Sequence, residues 1–235
     1  MKYQGGKSSI AKEILPLILK ERAKEQWYIE PFVGGANMIQ YVTGNRLGSD
    51  LSPELIKALT FIRDNAVLLP VDDDEFTEQM YHRLIHSYIK HPKDPIDCFA
   101  LFAYSFGAKY RGGWARNKSH RDYVWEAYSS AQTQSPLLQG CVFKCSSYNK
   151  LKVPDKSIIY CDPPYAETYE YNGQEGFDSV AFWDWCDSKI KEGHKVFVSE
   201  YTAPADWKCI WSKKVHTCLG NDNAKQATEK LFTKE

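Results

Sequence analysis

The segment "YCDPPYAET", residues 160–168, takes an apolar run into an acid, two prolines and an aromatic. Proline has a fixed φ and no backbone N–H, so Pro163 and Pro164 cannot continue a sheet ladder or a helix. A strand stopped this way exposes the Pro163 carbonyl and sets the Asp162 carboxylate beside it as a second acceptor. The Tyr165 ring adds a flat face on which a planar group can stack. Two acceptors and a stacking ring form a cradle for an amino group on an aromatic ring. Holding that group's hydrogens makes its nitrogen lone pair more available for attack.

Three other features have chemical use. In "EPFVGGA", residues 30–36, Gly34 and Gly35 let a strand turn tightly into the next element and let a ligand approach the backbone. The same pair would serve equally as a plain turn. Asp50 closes "RLGSD", some 16 residues after Gly34. An acid there is placed for the ribose hydroxyls of a nucleoside cofactor, or to cap the helix that follows. The loop "KYRGGWARNKSHR", residues 109–121, carries Lys109, Arg111, Arg116, Lys118 and Arg121 with no acid, interleaved with Tyr110 and Trp114. That composition suits phosphate and base-edge contacts on nucleic acid, and it also suits a solvated charged hairpin.

The elements that position these residues alternate. "SSIAKEILPLILKERAKE" has helical apolar spacing, with a serine N-cap expected before it and Pro16 expected to kink it or end its first segment. "WYIEPF" reads as a strand, "GGANMIQYVT" as a turn into a helix, and "RLGSD" as a short strand. "SPELIKALTFIRDNA" is a helix capped by Ser52 with Pro53 at its first position. Strands return at "CVFKC", "SIIYC" and "HKVFVSE", with the helix "VAFWDWCDSKIKEG" before the last. Such alternation implies an α/β fold with a mostly parallel, doubly wound sheet. A mainly helical stretch breaks it, so residues 66–135 are expected to form an inserted lobe in a catalytic domain of residues 1–65 and 136–235.

Bulk composition excludes several classes. The 235 residues are 43% hydrophobic and 26% charged, enough to bury one sizeable core. No apolar run approaches the ~20 residues of a membrane span. Lys12, Glu13 and Pro16 interrupt any signal-peptide core. Seven cysteines without a C-x-x-C pair point to reduced thiols in a cytosolic protein, with no zinc site expected. A net charge of zero argues against non-specific charge-driven binding while leaving room for a local basic patch.

"DPPY" after an apolar strand, "EPFVGGAN" upstream and "YQGGK" at residues 3–7 together resemble the Dam-like D12 class of S-adenosylmethionine-dependent DNA adenine methyltransferases. "CSSYNKL" and "VFVSEYTAP" also resemble family segments, and the likeness is weakest over 66–140. The resemblance implies a Rossmann-like methyltransferase fold and methyl transfer to the amino group of an adenine flipped out of duplex DNA. By resemblance, Tyr3, Lys7, Phe32 and Gly34 contact S-adenosylmethionine, and Asp50 holds its ribose. Asp162 and the Pro163 carbonyl bind the target amino group, bordering the cofactor, with Pro164 rigidifying the turn and Tyr165 stacking on the base. Lys109, Arg111 and Arg116 are expected on DNA. No metal is expected, and a monomer in the cytoplasm of a bacterial or phage-infected cell fits best. Ala36 departs from the family's F-x-G-x-G pattern, and "DLSPEL" lacks an asparagine two residues after the acid.

Other readings stand beside this one. The amine could belong to cytosine, RNA or a protein glutamine, although relatives acting on RNA or protein usually carry asparagine where this chain has Asp162. A non-catalytic DNA-binding relative is opposed by the intact Lys7, Asp50 and "DPPY". A nicotinamide enzyme would need a third glycine and a different interval to the acid.

Overall fold

The computed structural model describes residues 1–87, 91–115, 121–164, 177–216 and 226–234. Among them, β1 (Tyr28–Glu30), β2 (Arg46–Asp50), β3 (Val142–Cys145), β4 (Ile158–Cys161) and β5 (Lys195–Glu200) pair in parallel. A C-terminal hairpin of β6 (Lys208–His216) and β7 (Gln226–Thr233) joins β5 antiparallel. The order across the sheet is β3-β2-β1-β4-β5-β7-β6. The chain therefore runs outward from β1 to β3, then returns to begin β4 on the other side of β1. Such a reversal opens a crevice at the carboxyl ends of the two strands, where doubly wound sheets bind ligands.

Side chains alternate across each strand, and here they enter two different cores. Tyr28, Ile158, Tyr160, Phe197 and Leu231 face one core, with α1 (Ala11–Ile18), α2 (Pro53–Asn65), α4 (Pro95–Ala103) and α5 (Tyr123–Leu138). Their sequence neighbours Ile29, Ile159, Cys161, Val198 and Phe232 face the other, with α6 (Ser179–Lys191). The result is a three-layer α/β architecture. Tyr81 of α3 (Glu78–His86) and Phe99 of α4 share the core of Ile14 and Leu59, so the helices within 66–135 pack directly onto the sheet's own helical layer.

Helix starts follow local chemistry. Ser52 accepts from the Leu55 amide at 3.2 Å and Pro53 opens α2, as the sequence implies. Asp94, Asp122 and Asp178 cap α4, α5 and α6 in the same way. No helix among the described residues is long and apolar enough to cross a membrane.

Three expectations change. No serine caps α1: its N-cap is Ile10, and the Lys7 carbonyl instead takes the amides of Ile10 and Ala11. That helix covers eight residues, with Pro16 inside it, and ends two residues later. The segment after Gly35 forms a 3-10 turn at Ile39–Tyr41 rather than an α-helix. Ala36 enters it at φ +58°, a left-handed conformation that no α-helix continues. The β6–β7 hairpin had no counterpart in the sequence reading. Glycine at position 48 also has a positional purpose, since a Cβ there would lie 2.5 Å from Val33 Cγ2. The loop after β1 folds back over β2 through this contact, and the Val33 amide donates to the Ser49 carbonyl at 2.8 Å.

Candidate active site

The crevice is lined by acids that end strands. Glu30 closes β1, Asp50 closes β2, and Asp162 follows the last residue of β4. Parallel strands carry these three carboxylates to the same edge of the sheet. Asp162 to Pro164 leave the ladder, as two prolines require.

Asp162 is not solvated alone. Its Oδ1 lies 3.1 Å from Lys7 Nζ, and Glu229 Oε1 on β7 lies 3.5 Å from the same nitrogen. Lys7 and Glu229 are each only 8% exposed, a burial that lysine tolerates when it is paired. Burial pulls the Lys7 ammonium's pKa down, but the charges and hydrogen bonds of Asp162 and Glu229 overcome it and leave the pKa raised. Lys7 is therefore firmly cationic at neutral pH.

Beneath this junction lies a buried polar layer. The Tyr28 hydroxyl donates to Glu30 Oε1 at 2.9 Å, and the hydroxyls of Tyr160 and Ser199 are 2.8 Å apart. Burial drives the Glu30 carboxyl far above the usual carboxylate range, and the Asp162 charge adds to it. The Tyr28 hydrogen bond and Arg46 oppose the shift without cancelling it. Glu30 thus lies buried beneath Asp162 with its pKa raised.

On the β2 side, Asp50 joins two segments. Its Oδ2 accepts from the Gly34 amide at 3.3 Å and its Oδ1 from the Ser52 amide at 3.1 Å. Ser52, not Asp50, caps α2. Burial raises the Asp50 pKa against the backbone hydrogen bonds from Ser52, Gly34 and Leu51. A half-buried acceptor at a strand end suits paired hydroxyls such as those of a ribose. Gly34 has φ +47°, and a Cβ there would come 3.0 Å from Tyr3 Cε1. The Tyr3 ring therefore covers the glycine loop, with Phe102 behind it at 6.0 Å between centroids. Phe32 turns the other way, into rings of Tyr148 at 5.4 Å and Phe182 at 5.7 Å.

The basic loop is tied down. Tyr81 donates to the Gly112 carbonyl at 2.8 Å, and Ser105 bridges to Trp114. Arg111, at φ +54°, aims its guanidinium at the carbonyls of Leu84 and Ile85 in the last turn of α3. Those are helix-end acceptors that a cation commonly serves. Lys109 is exposed, and Phe106 projects with 71% of its surface accessible. Arg116 and Tyr165 lie outside the described residues.

The structure thus gathers Lys7, Asp162 and Pro163 at one point and Gly34 with Asp50 at another. Reading by motif missed Glu30, Tyr28, Tyr160 and Glu229. A usable signal existed for Glu30, which ends an apolar strand as Asp50 does. Glu229 stands two residues before the buried Leu231 in "ATEKLFT", on the same face of a strand.

The family model for D12 class N6 adenine-specific DNA methyltransferases matches residues 3–99, the stretch that carries Lys7, the glycine loop and Asp50. Over that stretch the chain is similar to the D12 class. It is 24% identical over 202 residues to the type II methyltransferase M.FokI of Planomicrobium okeanokoites, covering 75% of this chain. The chain spans only 30% of that relative's length. It is 26% identical over 200 residues to the DNA adenine methylase of Haemophilus influenzae, covering 77% of this chain and 68% of the relative. Among solved structures, SMU.472 with SAH bound aligns over 98% of this chain and 52% of its own, at 9% identity and a TM-score of 0.35.

The raised pKa of Glu30 has a measurable consequence. Its folded pKa stands above the ordinary 4.5, so its contribution to stability is fully present below that value and is lost as pH rises toward the folded one. Glu30→Gln keeps an acceptor for Tyr28 and has no proton to lose. Unfolding free energy of wild type minus variant should therefore fall as pH rises from about 4.5, measured by urea denaturation across a pH series. A difference that does not change with pH would mean that Glu30 is ionised in the fold.

Proposed function

We propose that this chain is an enzyme of the D12 class that transfers the methyl group of S-adenosylmethionine to the exocyclic amino group of an adenine turned out of duplex DNA. The observation that carries the reading is the Asp162 carboxylate, held at 3.1 Å by the Lys7 ammonium in the crevice where the strand order reverses. Asp162 and the Pro163 carbonyl accept the two amino hydrogens, and Pro164 keeps that carbonyl out of the ladder. Tyr165 supplies the stacking face. An adenine paired in the helix cannot reach such a cradle, so the base must leave the stack.

The donor side uses β2, across β1 from β4. Asp50 presents acceptors to ribose hydroxyls, the Gly34 backbone under the Tyr3 ring borders one part of the cofactor, and Phe32, on its own side of the loop, borders another. When bound, S-adenosylmethionine supplies an electrophilic methyl group. Everything else asked of the protein is orientation and a fixed acceptor field, which cost no reorganisation at the moment of reaction. We assign Lys7 to the acceptor side, because its ammonium is engaged by Asp162 and Glu229.

Residues 66–135 are proposed as the target-recognition region, with Lys109 and Arg116 on DNA. Arg111 serves that surface indirectly by holding the loop to α3.

Incubation with methyl-labelled S-adenosylmethionine should label duplex DNA, and neither RNA nor protein. Asp162→Ala should abolish labelling with the fold retained by circular dichroism. Label on RNA or protein, or a variant with wild-type turnover, would refute the reading. The loop makes a separate claim. Lys109→Ala should weaken binding to all DNA sequences and lower the salt slope by roughly one unit, as for one lost phosphate contact. Arg111→Ala should instead lower the melting temperature. An unchanged salt slope for Lys109→Ala would remove that residue from the DNA surface.

A further inference from the structure

We infer that Glu229, on the C-terminal hairpin, is a positioning residue that shares the Lys7 ammonium with Asp162 and so keeps the Asp162 carboxylate available to a substrate amino group. This rests on the amine-methylation reading above. The family model ends at residue 99, so it assigns no role to Glu229.

Three observations carry the inference. Lys7 Nζ lies between two carboxylates contributed by different strands, at 3.1 Å from Asp162 and 3.5 Å from Glu229. Glu229 is buried on the face of β7 that also carries the fully buried Leu231, so the strand's alternation aims it inward. Its neighbours in register, Lys213 on β6 and Glu200 beside Lys230, fix the hairpin against β5.

The charge count gives the mechanism. An ammonium has three donors and can serve two acids at once. Asp162, Lys7 and Glu229 together carry one net negative charge, whereas Asp162 and Lys7 alone would carry none. Without Glu229 the ammonium would turn further toward Asp162 and compete with the amino group for its lone pairs. With Glu229 the lysine still fixes Asp162, yet part of its hydrogen bonding is satisfied elsewhere. Among the described residues, the titratable groups around this junction include Asp162 after β4, Glu229 on β7, Glu30 and Tyr28 on β1, Tyr160 on β4, and Lys213 of β6 opposite Glu229.

The test uses Glu229→Gln in the full chain, with Glu229→Asp as the variant that keeps the charge. The Lys7 ammonium is titrated by NMR in protein labelled at lysine nitrogen, without cofactor, and assigned by its loss in Lys7→Met. The titration should move to lower pH in Glu229→Gln, because one of the two carboxylates that raise it is gone. In DNA methylation, kcat should fall roughly 10-fold or more, the scale of a charged hydrogen bond, with KM for S-adenosylmethionine little changed. Glu229→Asp should recover part of both. An unmoved Lys7 titration, or a Glu229→Gln kcat equal to wild type, would overturn the inference. Should Glu229→Gln fail to fold, the same titration in Glu229→Asp decides, since a shortened acid must loosen a contact of 3.5 Å. If wild type labels no nucleic-acid amine, the proposed function fails while the NMR titration still reports on the ion triad.

Discussion

A buried ammonium must be paired, and the placement of Lys7 follows from that constraint. Its partners come from the two ends of the fold's second half, Asp162 at the tip of β4 and Glu229 on β7. Removing either acid would take away one of the carboxylates that compensate the desolvated cation. The N-terminal segment, the strand that ends in "DPPY" and the C-terminal hairpin are thus joined at one atom. That atom lies where the reaction needs an oriented carboxylate. The interaction that holds the termini of the chain to the sheet also defines the acceptor.

The rest of the crevice shows how a doubly wound sheet makes such a point usable. The reversal between β1 and β4 leaves no strand end covering the gap. Glu30 sits buried beneath it, hydrogen-bonded to Tyr28, and burial raises its pKa. Gly48 lets Val33 fold back, which brings the Gly34 amide to Asp50. The donor and acceptor halves are therefore built at the ends of β2 and β4, which flank β1 in one sheet.

Much of this was legible before any coordinates. Strand ends at Glu30, Asp50 and Cys161 follow from apolar runs closed by acids and prolines, and α2 follows from Ser52 and Pro53. Those signals are local. What escaped was set by distant contacts. The β6–β7 hairpin is rich in lysine, and only its pairing with β5 shows that Glu229 and Leu231 face inward. Arg111 had the composition of a DNA contact, but the end of α3 offers its guanidinium two carbonyls that the loop's own sequence does not reveal. The turn after Gly35 has helical spacing, yet the left-handed Ala36 prevents an α-helix from starting there.

The central claim is that Lys7 and Asp162 act as one charged unit at the end of β4. A double-mutant cycle of Lys7→Met and Asp162→Asn, with stability measured by urea denaturation at pH 7, tests it most directly. The account predicts that the double variant is less destabilised than the sum of the single ones, by roughly 0.5–3 kcal/mol, as for residues in direct ionic contact. Losses that simply add would show that the two side chains do not depend on each other, and would contradict it.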